Sequence, residues 1–112
     1  SITWNLPRLL MAKNRVKLLL NMLLIAGQSI PRGGKLIVDP VGEGETMGFR
    51  ISATGSYAKV PQAVPELLAG GSHNGSVDAH AVQPYYTGLL AKDCGLTVMA
   101  ASEGEMIVVA AR

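Results

Sequence analysis

Leu19-Leu20-Asn21-Met22-Leu23-Leu24-Ile25-Ala26, running on to Pro31-Arg32-Gly33-Gly34-Lys35-Leu36, decides how this chain is read. Its first half carries a helix. Val16, Leu19, Leu20, Leu23 and the pair Ile25-Ala26 recur at the i, i+3, i+4, i+7 spacing of one helical face, and Lys13, Arg15 and Lys17 form a polar entry. The spacing predicts a helix from about Lys13 to Ser29. Beyond Leu18 this helix is apolar nearly all round, so it is expected to be covered on several sides. Pro31 and the paired glycines stop it.

The same reading extends outward. Lys35 to Val41 is rich in β-formers, Gly42-Glu43-Gly44-Glu45 is a turn, and from Met47 to Thr54 the residues Phe49, Ile51 and Ala53 alternate with Arg50, Ser52 and Thr54. The two runs predict a hairpin. Upstream, Ile2-Thr3-Trp4 is short and β-prone, and Pro7 ends it. Downstream, Pro61 to Leu68 reads as a short helix opening at a proline, and 70–76 as a loop by composition. Asp78 is a plausible N-cap for a helix to about Asp93, with Val82, Tyr85, Tyr86, Leu89 and Leu90 as its apolar face. Pro84 weakens the first turn and Gly95 closes the helix. Leu96 to Ala101 and Glu105 to Ala111 are the last strands, around a turn at Ser102-Glu103-Gly104. The element order gives an α+β fold in two layers, with helices on one face of a mixed, mostly antiparallel sheet.

A chain of 112 residues is expected to form one domain, residues 1–112. With 48% hydrophobic residues and a mean hydropathy of +0.27 it is too apolar to be disordered. The single cysteine, Cys94, excludes an internal disulfide framework and a cysteine-cage zinc site. The longest apolar run, Leu18 to Ala26 around Asn21, is about half of the ~20 residues that cross a bilayer. The expectation is a soluble cytoplasmic chain without a membrane partner. Its start at Ser1, without an initiator methionine, points to a piece of something longer.

The net charge is +2, but it is unevenly placed. Residues 1–35 hold Arg8, Lys13, Arg15, Lys17, Arg32 and Lys35 and no acid, while all eight acids follow. Aromatic residues make up 4%, too few for a nucleic-acid surface built on stacking. An acidic protein surface or a phosphate suits a small basic patch better, and a merely solvated helix face is the plain alternative.

Other constellations carry less. His73, Asp78 and His80 are spread across a loop boundary and do not converge as metal ligands must, so no metal is expected. Ser72, His73 and Asp78 are the residue types of a hydrolytic triad, but nearness in sequence is not triad geometry. His80, near a helix start, is a conceivable phosphoacceptor. The glycine-rich 42–48 stretch carries two acids that would repel phosphate and leads into a strand, so it is a hairpin turn. Cys94 reads as an inert thiol, and Met11, Met22, Met47, Met99 and Met106 as core filler.

The element order and three local motifs resemble the nucleotide-binding domain of histidine kinases and their GHKL relatives. In that family the first helix carries an asparagine box before a proline and paired glycines. Here Asn21 takes the first asparagine position and Ile25 the second, which in the family holds the magnesium of Mg-ATP. Next comes a strand ending in D-x-G-x-G, whose aspartate reads the adenine amino group. Ala53 stands at that aspartate, Gly55 survives, and Tyr57 fills the second glycine. The third motif is a glycine-rich lid before a helix and a hairpin. Tyr86 to Val98 keeps the helix and hairpin, without the paired glycines of the lid.

The departures share one physical sense. Magnesium needs hard oxygen ligands, which isoleucine lacks. Alanine accepts no adenine hydrogen bond. Tyrosine for glycine blocks close backbone approach to a phosphate. A short, lidless chain of this kind is similar to the ChpT-type bacterial histidine phosphotransferases. That resemblance implies a degenerate ATPase-like domain without ATP or other cofactor. It would have no catalytic residue of its own and would serve a phosphorelay by supporting the docking of response-regulator receiver domains. It also implies a parent protein that is homodimeric through a helical hairpin carrying the phosphorylated histidine, and that hairpin is not in this sequence. Arg8, Lys13, Arg15 and Lys17 are the receiver-facing residues on charge grounds alone. Two other readings stand beside it: an ATP-binding kinase domain with divergent motifs, and a small-ligand-binding α+β domain.

Overall fold

The computed structural model describes residues 2–6, 12–42, 47–60, 64–70 and 82–112. Helix α1 (Lys13–Gln28) stops where its backbone needs run out. The N–H of Ser29 donates to the carbonyls of Ile25 and Ala26 at 3.1 Å, and its hydroxyl donates to Ile25 at 3.0 Å. These bonds let a fully buried serine close the helix without an unmet polar group. Gly33, at a φ of +83°, then turns the chain, and its N–H donates to the Ile30 carbonyl.

The strands are β1 (Ile2–Trp4), β2 (Lys35–Val41), β3 (Gly48–Thr54), β4 (Val98–Glu103) and β5 (Met106–Ala111). They form one sheet in the order β1-β2-β3-β5-β4. Among the described residues only β1 and β2 run parallel; the other pairings are antiparallel, with Leu36 opposite Ala53 and Ala53 opposite Ile107. The period-2 pattern of β3 thus decides which face is covered. Helix α1, α2 (Val64–Leu68) and α3 (Val82–Asp93) pack on the face bearing Val38, Phe49, Ile51, Ala53, Ile107 and Val109, all essentially inaccessible. This is the two-layer α+β fold with a mixed sheet. No helix among the described residues is long and apolar enough to cross a membrane.

Several side chains fall on other faces than periodicity assigns. In α1 the buried set is Leu18, Leu19, Met22, Ile25 and Ala26. Val16 and Leu20 are exposed, and Leu20 and Leu24 keep 55% and 56% of their surface. The helix is covered by the sheet and by α3, and its remaining side stays open. In α3 the buried residues are Pro84, Thr87, Leu90 and Ala91, whereas Val82, Tyr86 and Leu89 are exposed. Thr87 can be buried because its hydroxyl donates to the Gln83 carbonyl at 2.7 Å and accepts from Gln83 Nε2. Met22 and Met47 are core residues, but Met99 is 56% exposed on the open face of the sheet. The strand expected from Leu96 begins at Val98 and continues to Glu103.

Helix α2 crosses α3 at Gly88. A Cβ there would lie 2.3 Å from the Leu68 carbonyl oxygen and 3.0 Å from its carbon, both backbone atoms that cannot step aside. Glycine to alanine within a helix ordinarily gains about 1 kcal/mol. Gly88→Ala is expected to reverse that sign and destabilise the domain by about 1–3 kcal/mol, because α2 must be pushed off α3. Urea denaturation of the two proteins measures it.

Candidate functional site

Asn21 and Ile25 lie one turn apart on α1, but they meet different surroundings. Ile25 points into the core and is wholly inaccessible. Asn21 turns toward α3. Its Nδ2 donates to the Lys17 carbonyl at 2.8 Å, while Gln83 Nε2 lies 3.0 Å from the Asn21 carbonyl and 3.1 Å from its Oδ1. The amide is therefore occupied in tying α1 to α3. Gln83 supplies this bridge, and its own Oε1 is buried without a partner among the described residues. Periodicity gave no signal for Gln83, whose type is common on helix surfaces.

Ala53 on β3 is also at zero exposure, flanked in register by Leu36 and Ile107. Just beyond, the backbone of Gly55 passes so close to the Gly33 carbonyl that a Cβ would sit 2.3 Å from its oxygen and 3.2 Å from the Ile30 Cγ2. Gly55 thus packs two loops together. Tyr57 is 74% exposed and keeps a φ of +60°, the left-handed conformation that glycine adopts most readily. The Arg32 guanidinium lies 4.6 Å from the centre of its ring, a cation–π contact. The five positions have separate surroundings. Two are core, one bridges helices, one closes a loop contact, and one stacks at the surface.

The basic residues divide similarly. Lys13 and Lys17 are exposed and one turn apart. Arg15 is half-buried and donates to the Met47 carbonyl, anchoring the start of α1 beside the entry to β3. Arg8 lies outside the described residues, as do Ser72, His73, Asp78, His80, Met11 and the acids of the 42–48 turn. The outer face of α1 reads Lys13, Lys17, Leu20, Leu24: cationic over the first turns, then apolar. The first turn has no acid, and its Ala12 cap supplies no side-chain bond, so the positive end of the helix adds to the two lysines. Tyr86 and Leu89 of α3 extend the exposed apolar surface. Reading α1 as apolar all round hid this stripe, although that same excess of leucine was the available signal. Burial pushes the Cys94 thiol above its usual pKa, against a smaller opposing pull from Arg15, which keeps it a neutral thiol.

The histidine phosphotransferase C-terminal domain family matches residues 1–106. The chain belongs to that family. The protein phosphotransferase ChpT of Brucella abortus (strain 2308) is 45% identical to this domain over 109 residues, which are 97% of the chain and 52% of that protein. A bacterial phosphotransferase solved at 1.7 Å superposes with a TM-score of 0.89 at 44% identity, over 100% of this chain and 55% of that one. The chain therefore spans about half the length of these relatives. Full-length ShkA, solved with AMPPNP, matches 99% of the chain with a TM-score of 0.67 and 18% identity, covering 24% of that protein. At that identity the likeness is one of fold.

Proposed function

We infer that this domain is the pseudo-ATPase half of a cytoplasmic histidine phosphotransferase in a bacterial phosphorelay. It binds no nucleotide and supports the docking of response-regulator receiver domains. The observation that carries the reading is the complete burial of Ile25 and Ala53. The two positions that would grip magnesium and adenine are apolar and part of the core. Refilling them with polar atoms would cost the fold what it gave the ligand. The scaffold that remains offers the outer stripe of α1. Lys13 and Lys17 suit the carboxylate-lined phosphorylation pocket of a receiver, and Leu20 and Leu24 supply an apolar contact beside them. In the longer protein, a helical hairpin pairs two copies and carries the phosphorylated histidine, as the family resemblance implies.

The first test is calorimetric titration with millimolar Mg-ATP. Heats of dilution alone are expected, and stoichiometric binding would overturn the reading. The second concerns the stripe. Lys13→Glu with Lys17→Glu, in the full phosphotransferase, is expected to slow association with its receiver about tenfold at low salt. The variant should also lose most of the salt dependence. Unchanged kinetics would remove α1 from the docking surface.

A further inference from the structure

Helices α1, α2 and α3 pack on one face of the sheet and leave the other open. The strand registers set the side chains of that open face in rows. Arg50, Ala110 and Met99 stand side by side across β3, β5 and β4. Ser52, Val108 and Ala101 form the next row, and Thr54, Met106 and Glu103 the one after. On the other side of the first row, Arg112 and Thr97 face each other and exchange both backbone hydrogen bonds, at 3.0 and 3.1 Å.

One diagonal through these rows is built of small residues. Gly48, Ala110 and Ala101 each lie one strand over and one pleat along from the last, a line of about 16 Å at ordinary sheet spacings. Gly48 must stay bare, because a Cβ there would run into the backbone carbonyl of Ala111. The diagonals on either side are large. One holds Arg50, Val108 and Glu103, and its two charged side chains meet across the valine at 3.7 Å, which leaves Val108 only 7% exposed. The other holds Arg112 and Met99. Between these banks runs a trough of about 470 Å³.

The charge of the trough is as uneven as its relief. Arg112 stands at the Gly48 end, and among the described residues no carboxylate side chain pairs with it. Arg50 lies diagonally from Arg112, close enough for two long side chains to reach one anion. Its pair with Glu103 is about half exposed on both sides, so it is weak and easily given up. Asp39, opposite Arg50 in register, is already engaged by Asn5 Nδ2 at 2.9 Å. Beyond the arginines the floor is Ala110 and Ala101 and the walls are Val108 and Met99, with no charge until Glu103.

The geometry points to this trough as a binding site for a straight-chain carboxylate. The anionic head sits at the Gly48 end between Arg112 and Arg50, and the alkyl chain lies over Ala110 and Ala101 between Val108 and Met99. Burial of the chain drives binding, and the charge-assisted bonds to the guanidinium groups fix its direction. A ligand of this shape uses both the narrow relief and the one-ended charge. A neutral chain uses only the first, and a compact anion only the second. The flexible Met99 side chain, 56% exposed, closes over the chain from one bank. The site lies on the face of the sheet opposite α1 and stands independently of the function proposed above.

Titration of the 112-residue chain with sodium decanoate, below its micellar concentration and followed by NMR, tests it. Saturable shifts are expected at the methyl groups of Ala101, Ala110, Val108 and Met99. Decan-1-ol, with the same chain and no charge, should bind about tenfold more weakly, and Arg112→Glu should weaken decanoate by about the same factor. Ala101→Phe, at an exposed position, closes the far end of the trough. It should weaken decanoate about tenfold while hexanoate, whose chain stops short of residue 101, keeps its affinity. The amide spectra of both variants report that they are folded. Shifts that do not saturate, or that fall on the helix-covered face, overturn the proposal. So does decan-1-ol binding as tightly as decanoate, or a folded Arg112→Glu or Ala101→Phe chain that takes decanoate unchanged.

Discussion

Ala53→Asp, which puts an acid where the kinase resemblance would place the adenine-reading one, is expected to destabilise the domain by about 3–5 kcal/mol at neutral pH without creating nucleotide binding. Position 53 has no exposure and lies between Leu36 and Ile107, with no cation facing it in register. An ionised carboxylate there loses its water and gains no partner. The sign of the pH dependence follows. Burial raises the folded-state pKa of the new aspartate above its unfolded value of about 3.9, so the protonated form is favoured in the fold. The deficit relative to the parent is therefore full at neutral pH and shrinks as pH falls through the folded pKa. Urea denaturation at neutral and mildly acidic pH measures both the size and the trend. A variant that folded as well as its parent and took up Mg-ATP would mean that position 53 opens onto a working pocket.

The paired glycines before β2 should respond very differently to the same change. Gly33 has a φ of +83° but open space around its Cα, so Gly33→Ala pays only the left-handed strain of about 1–2 kcal/mol. Gly34 has a φ of +150°, and a Cβ on it would lie 1.9 Å from the Thr54 carbonyl oxygen and 2.9 Å from the Gly55 Cα. Those are backbone atoms where β3 leaves the sheet. Gly34→Ala must displace β2 from β3 at the register pair Lys35–Thr54, and is expected to cost more than about 3 kcal/mol. The difference between the two variants in one denaturation series is the test; equal losses would remove the close approach as the cause.

Much of this architecture could be read from the chain because local signals and global fold agree. Pro31-Arg32-Gly33-Gly34 ends α1 within a residue of the expected place, and the alternation of Phe49, Ile51 and Ala53 gives the buried face of β3 directly. The faces of the helices were harder. Leu18, Leu19, Leu20, Leu23 and Leu24 offer almost no contrast around the axis of α1, so periodicity could not separate the side against the sheet from the side left open. In α3, Thr87 counts as polar by type, yet its hydroxyl is satisfied within its own helix, and tertiary packing then buries it. For the site, residue types alone singled out Ile25, Ala53 and Tyr57, of which the first two lie in the core and the third at the surface. They could not reveal that Asn21 is held by Gln83, 62 positions away in the chain, or that Arg15 is held at the entry to β3.

The placement of β5 between β3 and β4 has a consequence for how the protein is born. The strand made latest is the one the sheet is built around. A nascent chain still holding Met106–Ala111 inside the ribosome can form the β2–β3 hairpin and its covering helix, but β4 has nothing to zip against. Until that strand emerges, β3 is itself an open flank, and Phe49 and Ile51 lack their ladder partners Ala111 and Val109. The domain should therefore mature in one late step rather than turn by turn, and ribosome-bound intermediates stalled before Met106 should be the form most readily taken by proteases and chaperones.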